Sequence, residues 1–232
     1  MPTTEAGSGP RVGGRRDPPR ADIAHRRLRE QIMENRWPPG HWALERDLCD
    51  MLGMSRTPVR EAMVRLADEG LIEIVPRHGL RVQSLSATMM REVYQVLGAL
   101  EAVAAEIVAA DAARGPRLTE LERATDEMAE ALDRHDLQGW ARADESFHEM
   151  LVGMCGNRPL IETVARFRDR VHRARLMTLR LRPVPVASTE EHRALVEAMR
   201  AGDPARAGAL HRAHRARGAA ELVPILESLD VV

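Results

Sequence analysis

Between residues 93 and 108 the apolar side chains Val93, Val96, Leu97, Leu100, Val103, Ala104, Ile107 and Val108 recur at three- and four-residue intervals. That spacing lays them along one side of a helix of about four turns. A stripe of this length must be covered by other helices, so this part of the chain is expected to be a bundle. Composition agrees, because aromatic residues are only 3% while hydrophobic residues reach 44%. The core must then be assembled from Ala, Leu, Val, Ile and Met, a mixture that favours helices over sheets. Further helices are predicted over residues 117–134, 136–155, 159–181, 189–200, 204–216 and 221–229. Gly156-Asn157, Arg182-Pro183-Val184-Pro185 and Gly202-Asp203-Pro204 break the pattern between them. No strand pattern and no repeat interrupts this picture of an antiparallel bundle of about six or seven helices over residues 86–232.

The first part of the chain reads differently. Residues 1–19 are rich in Gly, Pro, Thr and Arg without apolar periodicity and are expected to form a flexible arm. Arg11, Arg15, Arg16 and Arg20 in and beside it would suit phosphate, although such tails are more often simply solvated. Ile23, Leu28 and Ile32 then mark a helix that stops at Trp37-Pro38-Pro39-Gly40, where proline removes donors. Leu44, Leu48, Met51 and Leu52 mark a short second helix closed by Gly53. A third helix begins at Ser55 or Thr57, either of which can cap it, and runs to about Glu69. Val59, Met63 and Leu66 point inward, leaving Arg56, Thr57 and Arg60 outside at the start of this third helix. Two short helices joined by a glycine turn make a helix-turn-helix, and those outward positions are where a recognition helix carries its base-reading groups. Leu71 to Val75, the turn Pro76-Arg77-His78-Gly79, and Leu80 to Val82 read as a hairpin, or wing. The N-terminal domain therefore spans residues 20–83.

Net charge neither supports nor opposes a nucleic-acid partner. The 34 basic residues, all arginine, face 35 acidic ones for a net charge of -1. Between Arg20 and Val82 eleven arginines face ten carboxylates, so only their placement on one face can build an electrostatic footprint. Cys49 and Cys155 are isolated, which argues for reduced thiols and against a cysteine metal site. Glu101 and Glu106 interrupt the most apolar stretch and no hydrophobic leader is present, so a cytoplasmic chain without a membrane partner is expected.

The segment PPGHWALERDLCDMLGMSRTPVREAMVRLADEGLIEIVPRHGLRV resembles the winged-helix domain of the GntR family of bacterial transcription regulators, most specifically over Leu52 to Leu71. The resemblance implies that Arg46, Ser55, Arg56, Thr57 and Arg60 contact DNA in the major groove, with His78 and Gly79 at the wing tip near the minor groove. Arginine suits guanine O6 and N7, while Ser, Thr and backbone amides suit phosphates. Arg65, further along the helix, reads equally as a surface charge.

In the bundle, Asp144 and His148 lie four residues apart on one helix face, and His192 and His214 fall on two later helices. One carboxylate and three imidazoles from three helices suit a divalent transition metal such as Zn, Ni or Mn. On spacing alone, surface charge or a satisfied helix pair is the commoner reading. Ser86 to the C-terminus, however, resembles the all-helical FCD effector domain of the FadR subfamily, through Leu100-Glu101, Asp144-x-x-Phe147-His148, Gly156-Asn157, His192 and His214. That resemblance implies Asp144, His148, His192 and His214 as metal ligands. His211, one turn before His214, is the rival for the fourth place or else an exposed helix residue. Many relatives carry Arg where Leu97 stands, which weakens the case for an ordinary carboxylate effector. Arg166, Arg170, Arg173 and Arg175 are mostly expected to face solvent, and Arg173 is the one expected to touch an effector. The whole reads as a non-enzymatic homodimeric repressor on a palindromic operator of double-stranded DNA, released by a small-molecule effector of organic-acid type. A metal-dependent hydrolase and a sensor of the metal itself are the alternatives.

Overall fold

The N-terminal unit is built from α1 (Arg20–Met33), β1 (Trp42–Ala43), α2 (Glu45–Leu52), α3 (Arg56–Asp68), β2 (Ile72–Val75) and β3 (Gly79–Val82). The computed structural model describes residues 19–111, 113 and 115–229. The expected arm, with Arg11, Arg15 and Arg16, lies outside these residues apart from Pro19. Ala24, Leu28 and Ile32 of α1 pack with Val59, Ala62 and Leu66 of α3, all with no exposed surface, and with Leu48 of α2 and Leu80 and Val82 of β3. Gly53 closes α2 with φ 64°, a left-handed conformation that glycine adopts without strain. Ser55 is the residue before α3, but its side chain makes no capping bond there.

The wing carries one strand more than the sequence suggests. β1 pairs antiparallel with β3 (Trp42 opposite Arg81, Ala43 opposite Leu80), giving the order β1-β3-β2. At two residues β1 is too short to show alternation. It exists because β3 offers it a free edge and because Gly79 lets the backbones meet. Gly79 has φ 86°, and a Cβ there would lie 2.2 Å from the Ala43 carbonyl oxygen.

The second unit holds six helices among the described residues: α4 (Ala87–Ala110), α5 (Gly115–Asp133), α6 (Leu137–Met154), α7 (Arg158–Thr178), α8 (Val186–Ala201) and α9 (Pro204–Ser228). Side chains of Ser86, Asp136, Asn157 and Asp203 cap α4, α6, α7 and α9 by accepting from the first-turn amides. The two helices expected after residue 204 are one. Arg217 pairs with Glu221 across the supposed break at 2.6 Å, and a Cβ at Gly218 would lie 3.6 Å from the Tyr94 ring, so the helix passes close against it. α4 touches α6, α7, α8 and α9 and is the axis of the bundle. By length and composition alone it could cross a membrane, with a mean hydropathy of 1.5 over its most apolar window, yet half of that window is buried in the bundle. Val96 and Val103 of its stripe remain 41% and 40% exposed. Cys49 and Cys155 are free thiols.

α7 joins the two units. Asp169 accepts from Arg29 Nε at 2.6 Å and Nη2 at 2.5 Å, a bidentate pair on α1. Arg170 Nε donates to the Glu69 carbonyl at 3.2 Å, and Arg173 Nη1 to the Gln83 carbonyl at 2.8 Å. Gly70 makes room for this contact, since a Cβ there would fall on the Arg170 guanidinium.

Replacing Gly79 by Ala should lower the stability of the N-terminal unit by about 2 kcal/mol, from backbone strain plus the clash with Ala43. Hydrogen exchange should show faster opening of residues 42–82 and unchanged protection of the bundle.

Candidate metal centre and nucleic-acid interface

α3 and the wing enclose a groove of ≈570 Å³ lined by Arg46, Arg56, Arg60 and Arg77 together with Leu44, Glu45, Val64 and Ile74. Arg56, Arg60 and Val64 recur every four residues on α3 and therefore share one face. The side chains of Arg46, Arg56 and Arg60 are 76%, 77% and 67% exposed. Ser55, Thr57 and His78 are exposed as well, and the His78 ring contacts the Pro76 carbonyl at 3.0 Å. Gly79 departs from expectation: it is buried against Ala43, Leu44 and Glu45, so it shapes the wing rather than presenting atoms at its tip. Arg65 turns away to Asp22 at 2.6 Å and reads as a surface charge. Arg77, with φ 66°, joins the groove from the wing, and Val64 and Ile74 supply apolar surface there. Outward-facing apolar residues between arginines were the available sequence signal for these last two.

In the bundle, Asp144, His148, His192 and His214 are all buried, and each offers one ligand atom within 4.8 Å of the others. Asp144 and His148 sit on successive turns of α6, His192 on α8 and His214 on α9. Buried Trp140 of α6 donates to Thr189 Oγ1 of α8 at 3.0 Å and ties the two helices beside the cluster. His192 Nδ1 contacts the Ser188 carbonyl at 2.7 Å and His214 Nδ1 contacts Glu191 at 2.7 Å. These bonds put the ring protons on the outer nitrogens and leave the Nε2 lone pairs facing inward. His148 Nε2 and His192 Nε2 are 3.3 Å apart, a separation that two nitrogens ligating one ion at about 2.0–2.1 Å would have. The donor set and its outer hydrogen bonds therefore fit a divalent transition metal. Glu191 is itself held by Arg217 at 2.6 and 2.7 Å, and sequence spacing gave no hint of it because it lies beside His192 but serves His214.

A second triad, Glu101, His148 and His211, adjoins the first. Its carboxylate is already committed, accepting from Arg215 Nε at 2.5 Å and Nη2 at 2.8 Å. His211 is fully buried, not exposed, and its Nε2 stands 3.4 Å from Glu101 Oε2. It is thus a neighbour of Glu101 and not a fourth ligand beside Asp144.

Asp144 also forms a close ion pair with Arg175 of α7. Burial would raise its pKa, but Arg175 and then His192 outweigh this and hold the carboxylate well below its usual range. Arg175 is correspondingly pushed up by Asp144 against the effect of burial. Burial depresses all four histidines, His192 to about 4 and His148, His211 and His214 well below their ordinary value. They are neutral near pH 7, as metal ligands must be. A cavity of ≈180 Å³ opens beside His148 and is bounded by Glu101, Arg175 and Arg215 with Leu97, Val152, Ile161, Val164 and Val171.

Known proteins share this organisation. The family model for bacterial regulatory proteins of the gntR family matches residues 20–82, and that for the FCD domain matches residues 92–217. The chain belongs to the GntR family. An uncharacterized HTH-type transcriptional regulator from the TAR-I ttuE-ttuC' intergenic region of Agrobacterium vitis is 46% identical over 135 residues, covering 57% of this chain and 79% of that protein. One in an unstable DNA locus of Streptomyces ambofaciens is 30% identical over 206 residues, covering 84% and 81%. The structure of E. coli McbR/YncC matches in fold with TM-score 0.76 and 18% identity, covering 92% of this chain and 99% of that one. The family consists of DNA-binding transcriptional regulators, not enzymes, so the hydrolase alternative falls.

In this GntR-family chain the expected effector contact Arg173 is turned elsewhere. It is 1% exposed, bonds to Gln83 at the junction of the units, and is absent from the cavity wall. Burial lowers its pKa to about 10, which leaves it charged. Arg175, two residues on and so on the opposite side of α7, faces the cavity.

The histidines set a pH dependence for the metal-free chain. Their folded pKa values lie below the ordinary 6.5, so the unfolded chain takes up protons first as pH falls, and stability drops below about pH 6.5 by up to about 1.4 kcal/mol per histidine per pH unit. Urea unfolding between pH 7 and 5 should show this decline, and Asn at His192 should flatten it.

Proposed function

We propose that this regulator binds a divalent transition metal through Asp144, His148, His192 and His214, and a small anionic metabolite beside it, and that the metabolite alters DNA binding. The observation that carries the reading is the convergence of one buried carboxylate and three buried imidazoles, one of which, His148, also forms part of the wall of the adjoining cavity. When bound, the metal supplies an oxygen-coordinating position and positive charge. Without it the neighbouring pairs Asp144–Arg175 and Glu101–Arg215 balance one another. Added cationic charge in a buried site favours an anionic ligand. Arg175 and Arg215 would orient it, and the walls of Leu97, Val152, Ile161 and Val164 would receive its apolar part. At ≈180 Å³ the cavity is smaller than the ~300–1,000 Å³ of drug-sized sites, which argues for a small metabolite.

α7 supports a route to DNA. Arg168, His172 and Arg175 line the cavity, while Asp169, Arg170 and Arg173 hold α1, Glu69 and Gln83 of the N-terminal unit. A ligand that favours one setting of α7 shifts the orientation of the reading helices. The E. coli relatives RspR and GlaR, 29% and 28% identical, are named as repressors, which supports repression relieved by ligand. A homodimer through the helical units, favoured by the exposed Val96 and Val103, would read a palindromic operator in the cytoplasm. Zn suits the donor set best, with Ni or Mn as substitutes.

The deciding experiment incubates the full chain with fragmented genomic DNA at near-physiological salt, with and without Zn, and sequences the retained duplexes. A recurrent palindrome is expected, and Zn should raise the melting temperature of the wild type but not of Asp144→Asn. No enrichment under either condition would overturn the operator reading, and an unchanged melting temperature the metal reading. Arg60→Ala should weaken operator binding at fixed salt by about 1–3 kcal/mol.

Cutting the Arg29 clamp with Asp169→Asn should leave operator affinity within a few-fold while shrinking the change in affinity that metal or ligand produces. Anisotropy titrations with and without the metal measure both quantities.

A further inference from the structure

The arginine-lined groove contains one carboxylate, Glu45, and its position is not that of a bystander. Glu45 is the first residue of α2, and its backbone nitrogen is one of the atoms against which Gly79 of the wing packs. Its side chain is 23% exposed, and it reaches across to α3, where its Oε2 accepts from Arg60 Nε at 2.8 Å and its Oε1 lies 3.9 Å from Arg56 Nε. A carboxylate facing a polyanion lowers affinity for any duplex, so its value must lie elsewhere. The atom it holds is informative. With Nε bound, the Arg60 guanidinium is fixed in orientation while its two terminal amino groups have no partner among the described residues. Those two groups form the fork that matches guanine O6 and N7. The same bond also keeps Arg60 from turning to a phosphate, where it would contribute affinity without discrimination.

We infer that Glu45 is a specificity-determining positioning residue, which holds Arg60 for a guanine edge and suppresses sequence-independent binding. The inference rests on the reading that the Arg56–Arg60–Val64 face of α3 meets the base edges. Arg56, at 3.9 Å, is restrained among the described residues by no closer carboxylate than Glu45, so its guanidinium stays available to phosphate together with Arg46 and Arg77 of the same groove.

The test begins with duplexes selected by the full wild-type chain from a random pool. Affinities are then measured for the recovered site, for versions with each base pair replaced, and for an unrelated duplex, over a range of salt. Glu45→Gln should bind the unrelated duplex three- to ten-fold more tightly and lose at least ten-fold in preference for the recovered site. That loss should fall at the base pair to which Arg60→Ala becomes indifferent. Glu45→Asp keeps the charge at the start of α2 but withdraws the carboxylate from Arg60, so it should lose the same preference without gaining affinity for the unrelated duplex. Unfolding midpoints of the variants verify that the domain is intact, and a loss of affinity equal for all duplexes would mark a merely structural role and overturn the inference. Wild-type preference at the Arg60 base pair in both Glu45 variants would also overturn it while leaving the α3 reading in place. Indifference of every base pair to Arg60→Ala would overturn both.

Discussion

Asp144 with Arg175 and Glu101 with Arg215 meet at the centre of the bundle, three of the four buried and Arg175 nearly so, among histidine and aromatic rings. Ions in such surroundings are tolerated only as satisfied pairs, and removing one partner costs about 3–5 kcal/mol. The pairs therefore dictate which helices must meet: α6 with α7 through Asp144, and α4 with α9 through Glu101. Tyr94 on α4 and Trp140 on α6 lie within 6 Å of the Arg215 and Arg175 guanidiniums respectively, at 5.9 and 5.7 Å, and extend each pair into an aromatic face. Alanine-rich helices alone would pack in many registers, whereas these four ions accept very few.

The cavity, the proposed metal ligands and the clamp on the N-terminal unit all follow from that arrangement. α7 can face two ways because charged residues at alternate positions fall on opposite sides of it: Arg175 inward to Asp144, Arg173 outward to Gln83. Among the described residues, α7 holds the N-terminal unit through polar contacts, one bidentate pair and two arginine-to-carbonyl bonds. Contacts of that kind shift at modest expense in free energy, as a switch requires.

Much of this was legible beforehand. The glycine ending α2, the proline-bearing start of α3, the hairpin turn and the Asp144–His148 pair are all local signals, determined by backbone conformation or by helix period within a few residues. What was not legible depends on distant partners. β1 exists only because β3 lies beside it. The burial of His211 depends on where α9 meets α4, and the roles of Arg173 and Arg175 depend on which side of α7 meets which unit. Continuity of α9 past Gly218 depends on Tyr94 packing and the Arg217–Glu221 pair. Glu45 carries no local sequence signal, because its partner Arg60 lies on the next helix.

Trp140 links these observations in one more respect. It is 1% exposed, its indole donates to Thr189, and Arg175 lies over its ring, so one indole on α6 touches both α8 and α7. The remaining tryptophans, Trp37 and Trp42, belong to the N-terminal unit. The molecule thus carries intrinsic indoles in contrasting surroundings, half-exposed Trp42 and half-buried Trp37 in the N-terminal unit and enclosed Trp140 beside the histidine cluster, without any added label.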